Sequence, residues 1–148
     1  MISIKDIKEL RNITGVSIGE CKKALEKSEG DIKKAEEFLK EVGKKIIQKR
    51  MDKETKDGII DAYIHIGKKI GVLIELNCES DFVARSEGFQ KLAHELCLQI
   101  AVGLSDDTPI LKRKWIKDES KTIQDLISEN IGKFGENISI KRFARYEL

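Results

Sequence analysis

I-I-D-A-Y-I-H-I-G-K-K-I-G-V-L-I-E-L-N-C, residues 59–78, is the stretch whose reading decides the fold. Ile60, Ala62, Ile64 and Ile66 alternate with Asp61, Tyr63 and His65. Gly67-Lys68-Lys69 has the composition of a turn. The alternation then resumes with Ile70, Val72, Ile74, Leu76 and Cys78. A repeat of two residues belongs to a strand with one face buried. Two such runs around a glycine turn predict an antiparallel hairpin. The expectation is that both apolar sets share the buried face and that His65 lies on the other.

Downstream, Phe89, Leu92, Ala93, Leu96, Cys97, Ile100 and Ala101 recur at helical spacing and form a full apolar stripe. Residues 106–109 read as loop, and Lys112 to Trp115, K-R-K-W, as a basic-aromatic patch. Ile123, Leu126, Ile127, Ile131 and Phe134 predict another amphipathic helix, ending between Gly132 and Gly135. Residues 137–146 read as a last strand. Its alternation slips at Lys141-Arg142, which predicts a bulge. The order β-β-α-α-β over residues 58–148 predicts an α+β domain. Its three-stranded, largely antiparallel sheet would be covered by two helices.

Upstream, residues 1–42 read as three short helices around one small core. Ile4, Ile7 and Leu10 recur every three residues before Thr14-Gly15. Ser17-Ile18-Gly19-Glu20 has the form of a capping box opening a helix with Cys21, Ala24 and Leu25 on one side. Gly30 ends it, and Asp31 caps a helix with Ile32, Ala35, Phe38, Leu39 and Val42 at helical spacing. Residues 43–57 are charge-rich and read as a linker or a poorly packed extra helix.

Composition narrows the function. The chain has 148 residues, 40% hydrophobic and 36% charged, with a formal net charge of +2. That charge alone does not argue for nucleic acid. The first 56 residues hold 15 Lys/Arg against 11 Asp/Glu, so the basic excess is N-terminal, interleaved with acids as on a solvated helical surface. Three cysteines without C-x-x-C spacing read as reduced and buried. No apolar run is long enough to span a membrane, and no signal-peptide pattern opens the chain. The expected location is a bacterial cytoplasm or an organelle matrix. His65 and His94 lack ligand-spaced partners, and no phosphate-binding glycine loop occurs, so no metal or cofactor is expected.

E-S-D-F-V-A-R-S-E-G-F, residues 79–89, fits neither neighbour. Extending the helix stripe back from Phe89 reaches Arg85 and Ser86, both polar. Phe82 and Val83 therefore lie outside the helix's core face. One reading tucks Phe82 into the core from a strand-to-helix turn capped by Ser80 or Asp81. The other makes it an exposed aromatic anchor beside a carboxylate, the kind of residue that dominates binding energetics.

N-C-E-S-D-F-V-A-R, residues 77–85, resembles the T-D-F-V signature of the elongation factor Ts family, with Ser80 in place of the threonine. L-R-N-I-T-G (10–15), C-K-K-A-L (21–25), G-D-I-K-K-A (30–35) and the closing F-G-E-N-I-S-I-K-R-F-A-R-Y-E-L are similar to further family motifs, in the same order. S-I-G-E at residues 17–20 replaces the family's usual G-M-M-D, so Ile18 keeps one of two large apolar contacts. The resemblance implies a ubiquitin-associated-like three-helix module and a short form with a single core subdomain. Pairing of two copies is one way to supply the other half. It also implies a guanine-nucleotide exchange factor, not an enzyme, acting on elongation factor Tu. Asp81 and Phe82 would enter the partner's GTPase domain near the magnesium and phosphates. Phe82 would act as a wedge and Asp81 electrostatically, with Ser80 and Val83 shaping the turn. Leu10, Arg11, Ile18 and Lys22 would dock the N-terminal module. Two other readings stand beside it. One is an RNA-binding accessory module of translation using residues 44–56 and 112–115. The other is an adaptor binding through its first 42 residues.

Overall fold

The computed structural model describes residues 1–103 and 107–148. The chain divides into two compact units, residues 1–49 and 50–148.

The first unit is helical. Helix α1 (Ile4–Thr14) starts at Ser3 with a reciprocal capping box to Asp6 and stops at Gly15, whose φ of 70° a side chain would disfavour. Helix α2 (Ile18–Lys27) is capped by the Ser17 hydroxyl, which accepts from Glu20 N–H. The Glu20 carboxylate pairs with Lys23 at 3.1 Å, so the box expected there is half-made. Asp31 caps helix α3 (Ile32–Arg50) by accepting from Lys34 N–H at 3.0 Å. Leu10, Cys21, Ala24, Leu25, Ala35 and Leu39 form the shared core, with Ile7, Val16 and Phe38 packed around it.

Of the two readings of residues 43–57, a linker or an extra helix, the helical one holds for residues 43–50 as a continuation of the preceding helix. Helix α3 (Ile32–Arg50) runs on through Gly43, and the unit boundary falls after Lys49. Val42, Ile46 and Arg50 are half-buried at four-residue spacing, a helical signal thinned by the lysines between them. One glycine costs a helix only about 1 kcal/mol and does not end it.

The second unit is built on a three-stranded antiparallel sheet in the order β1-β2-β5, with β1 (Asp57–Ile64), β2 (Ile70–Cys78) and β5 (Ile138–Glu147). Helix α5 (Glu87–Val102) packs across β1 and β2, and α6 (Ile123–Phe134) against β5. Phe89 of α5 meets Phe134 of α6 edge-to-face at 6.3 Å. Arg145 of β5 reaches the end of α5, donating from Nε and Nη2 to the Ala101 carbonyl. The bulge falls where the sequence slips: Glu75 stands opposite Arg142 and Leu76 opposite Ile140, leaving Lys141 unpaired. Gly58 crosses the Leu76 carbonyl so closely, at φ 154°, that no Cβ fits there.

The hairpin forms, but its two apolar sets do not share a face. Asp61 pairs with Ile74 and Tyr63 with Val72, so Asp61 and Tyr63 point to the helices together with Val72, Ile74 and Leu76. Ile60, Ala62 and Ile64 lie on the outer face beside Leu73 and Gly71. Ile60, Ile64 and Leu73 are all exposed, as is Ile66 at the turn. The turn sets this parity, because a one-residue shift of register exchanges the faces of a whole strand. A two-stranded hairpin of Lys114–Trp115 (β3) with Asp118–Thr122 (β4) is an element that the sequence reading lacks. Residues 107–109 are loop as expected, and residue 106 lies outside the described residues.

The face assignment has a direct check. Ile74→Ala should cost about 3 kcal/mol in denaturant unfolding, the usual range for a buried aliphatic truncation. Ile66→Ala, at a side chain 93% exposed, should stay within about 0.5 kcal/mol.

Candidate functional site

Between β2 and α5 the chain makes one helical turn, α4 (Asp81–Ala84). Ser80 is its N-cap, accepting from Val83 N–H at 3.3 Å. At the other end the Ser86 hydroxyl donates to the Val83 carbonyl at 2.7 Å and also caps α5. Val83 and Ala84 are buried against the sheet. That orientation throws Phe82 outward, and it is 87% exposed. The turn therefore decides between the two readings of Phe82: it is an exposed ring, not a core residue. Asp81 is more than half exposed and pairs with Arg85 one turn on. Such a surface pair contributes about 0–1 kcal/mol, so Asp81 can exchange that partner for another at little cost.

A carboxylate clamp fixes the base of this turn. Glu136 Oε1 accepts from the backbone N–H of Glu79 (3.1 Å) and of Ser80 (2.9 Å). Its Oε2 accepts from the Ser80 hydroxyl at 2.6 Å. Glu79 answers across the same gap. Its Oε2 accepts from Asn137 N–H, and its Oε1 from Arg50 Nη1 at 3.1 Å. The Asn137 amide in turn donates to the Met51 and Lys53 carbonyls at 3.3 and 2.8 Å. Hydrogen bonds to a charged acceptor contribute roughly 1.5–3 kcal/mol each, so this cluster outweighs the exposed ion pairs around it. Beneath it, Cys78 Sγ donates to the Ser80 carbonyl at 3.1 Å. The thiol is pushed up to about 11, first by burial and then by the Glu136 charge.

The other sequence-derived residues are divided by the fold. Leu10 is fully buried in the helical core and has no side chain to offer a partner, which corrects its assignment as a docking contact. Arg11 is exposed on α1. Ile18 and Lys22, four residues apart, share an exposed side of α2, with Lys22 3.9 Å from Glu26. Ser80, Asp81, Phe82 and Val83 stay together on one turn, the first and last inward, the middle two outward.

The basic-aromatic patch is less open than its sequence suggests. Lys112 and Lys114 are exposed, but Trp115 is half-buried. Buried Gln99 holds that strand by donating to the Lys114 carbonyl and accepting from Ile116 N–H. Among the described residues no group of three His, Cys, Asp or Glu side chains could hold a metal ion. No described helix is long and apolar enough to cross a membrane.

Sequence reasoning missed the clamp. Glu79, Glu136 and Asn137 sit at strand ends without periodicity, where a solvated loop is the simplest reading. Glu79 directly follows β2 and Glu136 lies two residues before β5, and only the register of those strands brings the two together.

The family model described as "Elongation factor TS" matches residues 79–148. The chain is 38% identical to elongation factor Ts of Thermotoga neapolitana over 191 aligned positions, covering 99% of this chain and 97% of that protein. It is 37% identical to elongation factor Ts of Moorella thermoacetica, covering 100% and 96%. Elongation factor Ts of an Anaeromyxobacter species is 36% identical, covering 99% and 88%. Alignments of 191–194 positions exceed the 148 residues here, so these relatives carry segments with no counterpart in this chain.

The buried thiols give a test of the site's packing. Cys78 and Cys97 have folded values raised from 9.0 to about 11 and about 12. The folded protein therefore holds these protons more tightly than the unfolded chain. The stability they contribute is complete below about pH 9 and is lost as pH rises through the folded values. Denaturation midpoints should fall between about pH 9 and about pH 11, and fall less in Cys78→Ala.

Proposed function

The chain belongs to the elongation factor Ts family and is a translation elongation factor, and from that premise we propose that it promotes release of GDP from elongation factor Tu. The observation that carries the reading is Phe82, an exposed ring on a rigid turn. A stable fold gains nothing from leaving such a ring in water, whereas a binding surface does.

Exchange needs no nucleophile, base or cofactor of the factor's own, and we infer that the protein is not an enzyme. It must bind the nucleotide-free partner better than the GDP-bound one. Linkage then requires that it weaken GDP by the same factor. Phe82 supplies a contact available only when the partner's nucleotide site has shifted, filling an apolar pocket as a wedge. Asp81, released from Arg85, offers a carboxylate to donors near the Mg²⁺. That ion tolerates poor octahedral geometry badly. Arg11, Ile18 and Lys22 dock the N-terminal module on the same GTPase domain. Such a protein works in the bacterial cytoplasm or an organelle matrix.

The outer sheet face favours a second copy of this chain as a further partner. Small Ala62, Gly71 and Ala144 lie beside large Ile60, Ile64 and Leu73, a relief that interdigitates with its own copy about a two-fold axis.

The test is release of a fluorescent GDP analogue from purified elongation factor Tu. The full chain should accelerate release, and Phe82→Ala should lose about tenfold or more of the acceleration, the effect of a binding hot spot. Asp81→Ala should lose less. Unaltered release by Phe82→Ala would remove the wedge role. An RNA affinity falling steeply with salt, without any effect on GDP, would favour the RNA-binding alternative. Sedimentation equilibrium checks the second copy: the wild-type chain should be dimeric and Leu73→Asp monomeric.

A further inference from the structure

Phe82 has little around it to set its direction. At 87% exposure the ring is placed by its backbone, and α4 is a single turn of four residues. A helix that short does not sustain itself, because one turn is below the length at which helical bonds repay the ordering of the chain. Its orientation must come from its ends. The C-terminal end is held locally by Ser86. The N-terminal end is held from 56 residues away, by the two oxygens of Glu136 on the Ser80 N–H and hydroxyl.

We propose that Glu136 is a positioning residue for nucleotide exchange: by gripping Glu79 and Ser80, its carboxylate fixes the direction in which Phe82 leaves the fold. The inference rests on the wedge reading of Phe82 and adds a residue that does not itself face the partner. Glu136 is half-buried beside β5, and its oxygens face inward to the turn. A carboxylate suits the place because three donors converge on it and it donates nothing. Glutamine in its place keeps one accepting oxygen and turns an NH₂ toward donors. Aspartate keeps the charge but is one methylene too short to reach both N–H groups.

A turn held in its bound conformation makes the wedge contact without first being ordered. A loosened turn samples other directions, and only the fraction in the right one is competent. Docking through Arg11, Ile18 and Lys22 does not pass through this turn. Loss of Glu136 should therefore lower the maximal rate of GDP release more than the affinity for the GTPase.

The experiment is GDP-analogue release from elongation factor Tu as a function of factor concentration. It compares the full-length wild type, Glu136→Ala, Phe82→Ala and the double variant, with circular dichroism of each. Glu136→Ala should lower the maximal acceleration about tenfold, with the half-saturating concentration within about twofold of wild type. Glu136→Gln should fall in between. In the Phe82→Ala background Glu136→Ala should cause no further loss, because it acts through that ring. Combined with Ile18→Ala on the N-terminal module, the two losses should multiply. A purely structural role would lower stability without this selective coupling. Should Glu136→Ala not fold, Glu136→Gln carries the same cycle. Wild-type release by a folded Glu136→Ala, or multiplying losses with Phe82→Ala, would overturn the inference while leaving the wedge in place. Wild-type release by Phe82→Ala would remove both.

Discussion

The pairing of β2 with β5 is the constraint on which the second unit rests. Strand β2 lies in the middle of the sheet, so both of its edges are used, and one is completed only by the last residues of the chain. Cys78 stands opposite Ile138, and that register sets Glu79 and Ser80 against Glu136 and Asn137. The crossed carboxylates follow from the register. So does the cap on α5, since Arg145 pairs across from Val72 and points to the helix side, within reach of Ala101. The Lys141 bulge makes both possible by resetting the strand halfway along, so that each end presents the needed side chain inward.

The turn that carries Phe82 grows out of this frame by a conflict between local and global demands. Val83 and Ala84 have to be buried to seal the end of the sheet, and in one helical turn that commits Phe82 to the outside. Elsewhere the local signals agree with the fold: capping boxes at Ser3 and Thr122, a glycine stop at Gly135, and an unbroken apolar stripe on α5. Phe82 departs from that agreement as an exposed aromatic on a turn held at both ends, and such departures mark candidate functional sites.

The outer sheet face shows a second conflict of the same kind. Strand β1 carries Ile60 and Ile64 outward and presents Asp61 and Tyr63, together with Ile59, to the helices. A half-buried strand normally does the reverse. Tyr63 is still used there, with its ring edge-on to His94 of α5 at 6.2 Å and its hydroxyl 2.8 Å from His65 Nδ1. The helix-facing side of β1 thus mixes Ile59 with polar and aromatic side chains, while Ile60, Ala62 and Ile64 face outward.

Much of this was legible in the chain itself. Periodicity located α5, α6, the hairpin and the slip at Lys141, because a buried stripe leaves its spacing in the sequence wherever one element has one wet face. The motif around Asp81 and Phe82 could be found as a break in that spacing. Three things belonged to the tertiary structure alone. Which face of β1 is buried is set by its register with β2, and that register places Asp61 and Tyr63, not the more apolar Ile60 and Ile64 set, against the helices. The fate of Leu10, apolar and periodic like a docking residue, was decided by which side of α1 the other helices cover. The hydrogen bonds of Glu136 needed the register of two strands far apart in sequence: a lone carboxylate says nothing of its donors until the fold brings them within hydrogen-bond distance.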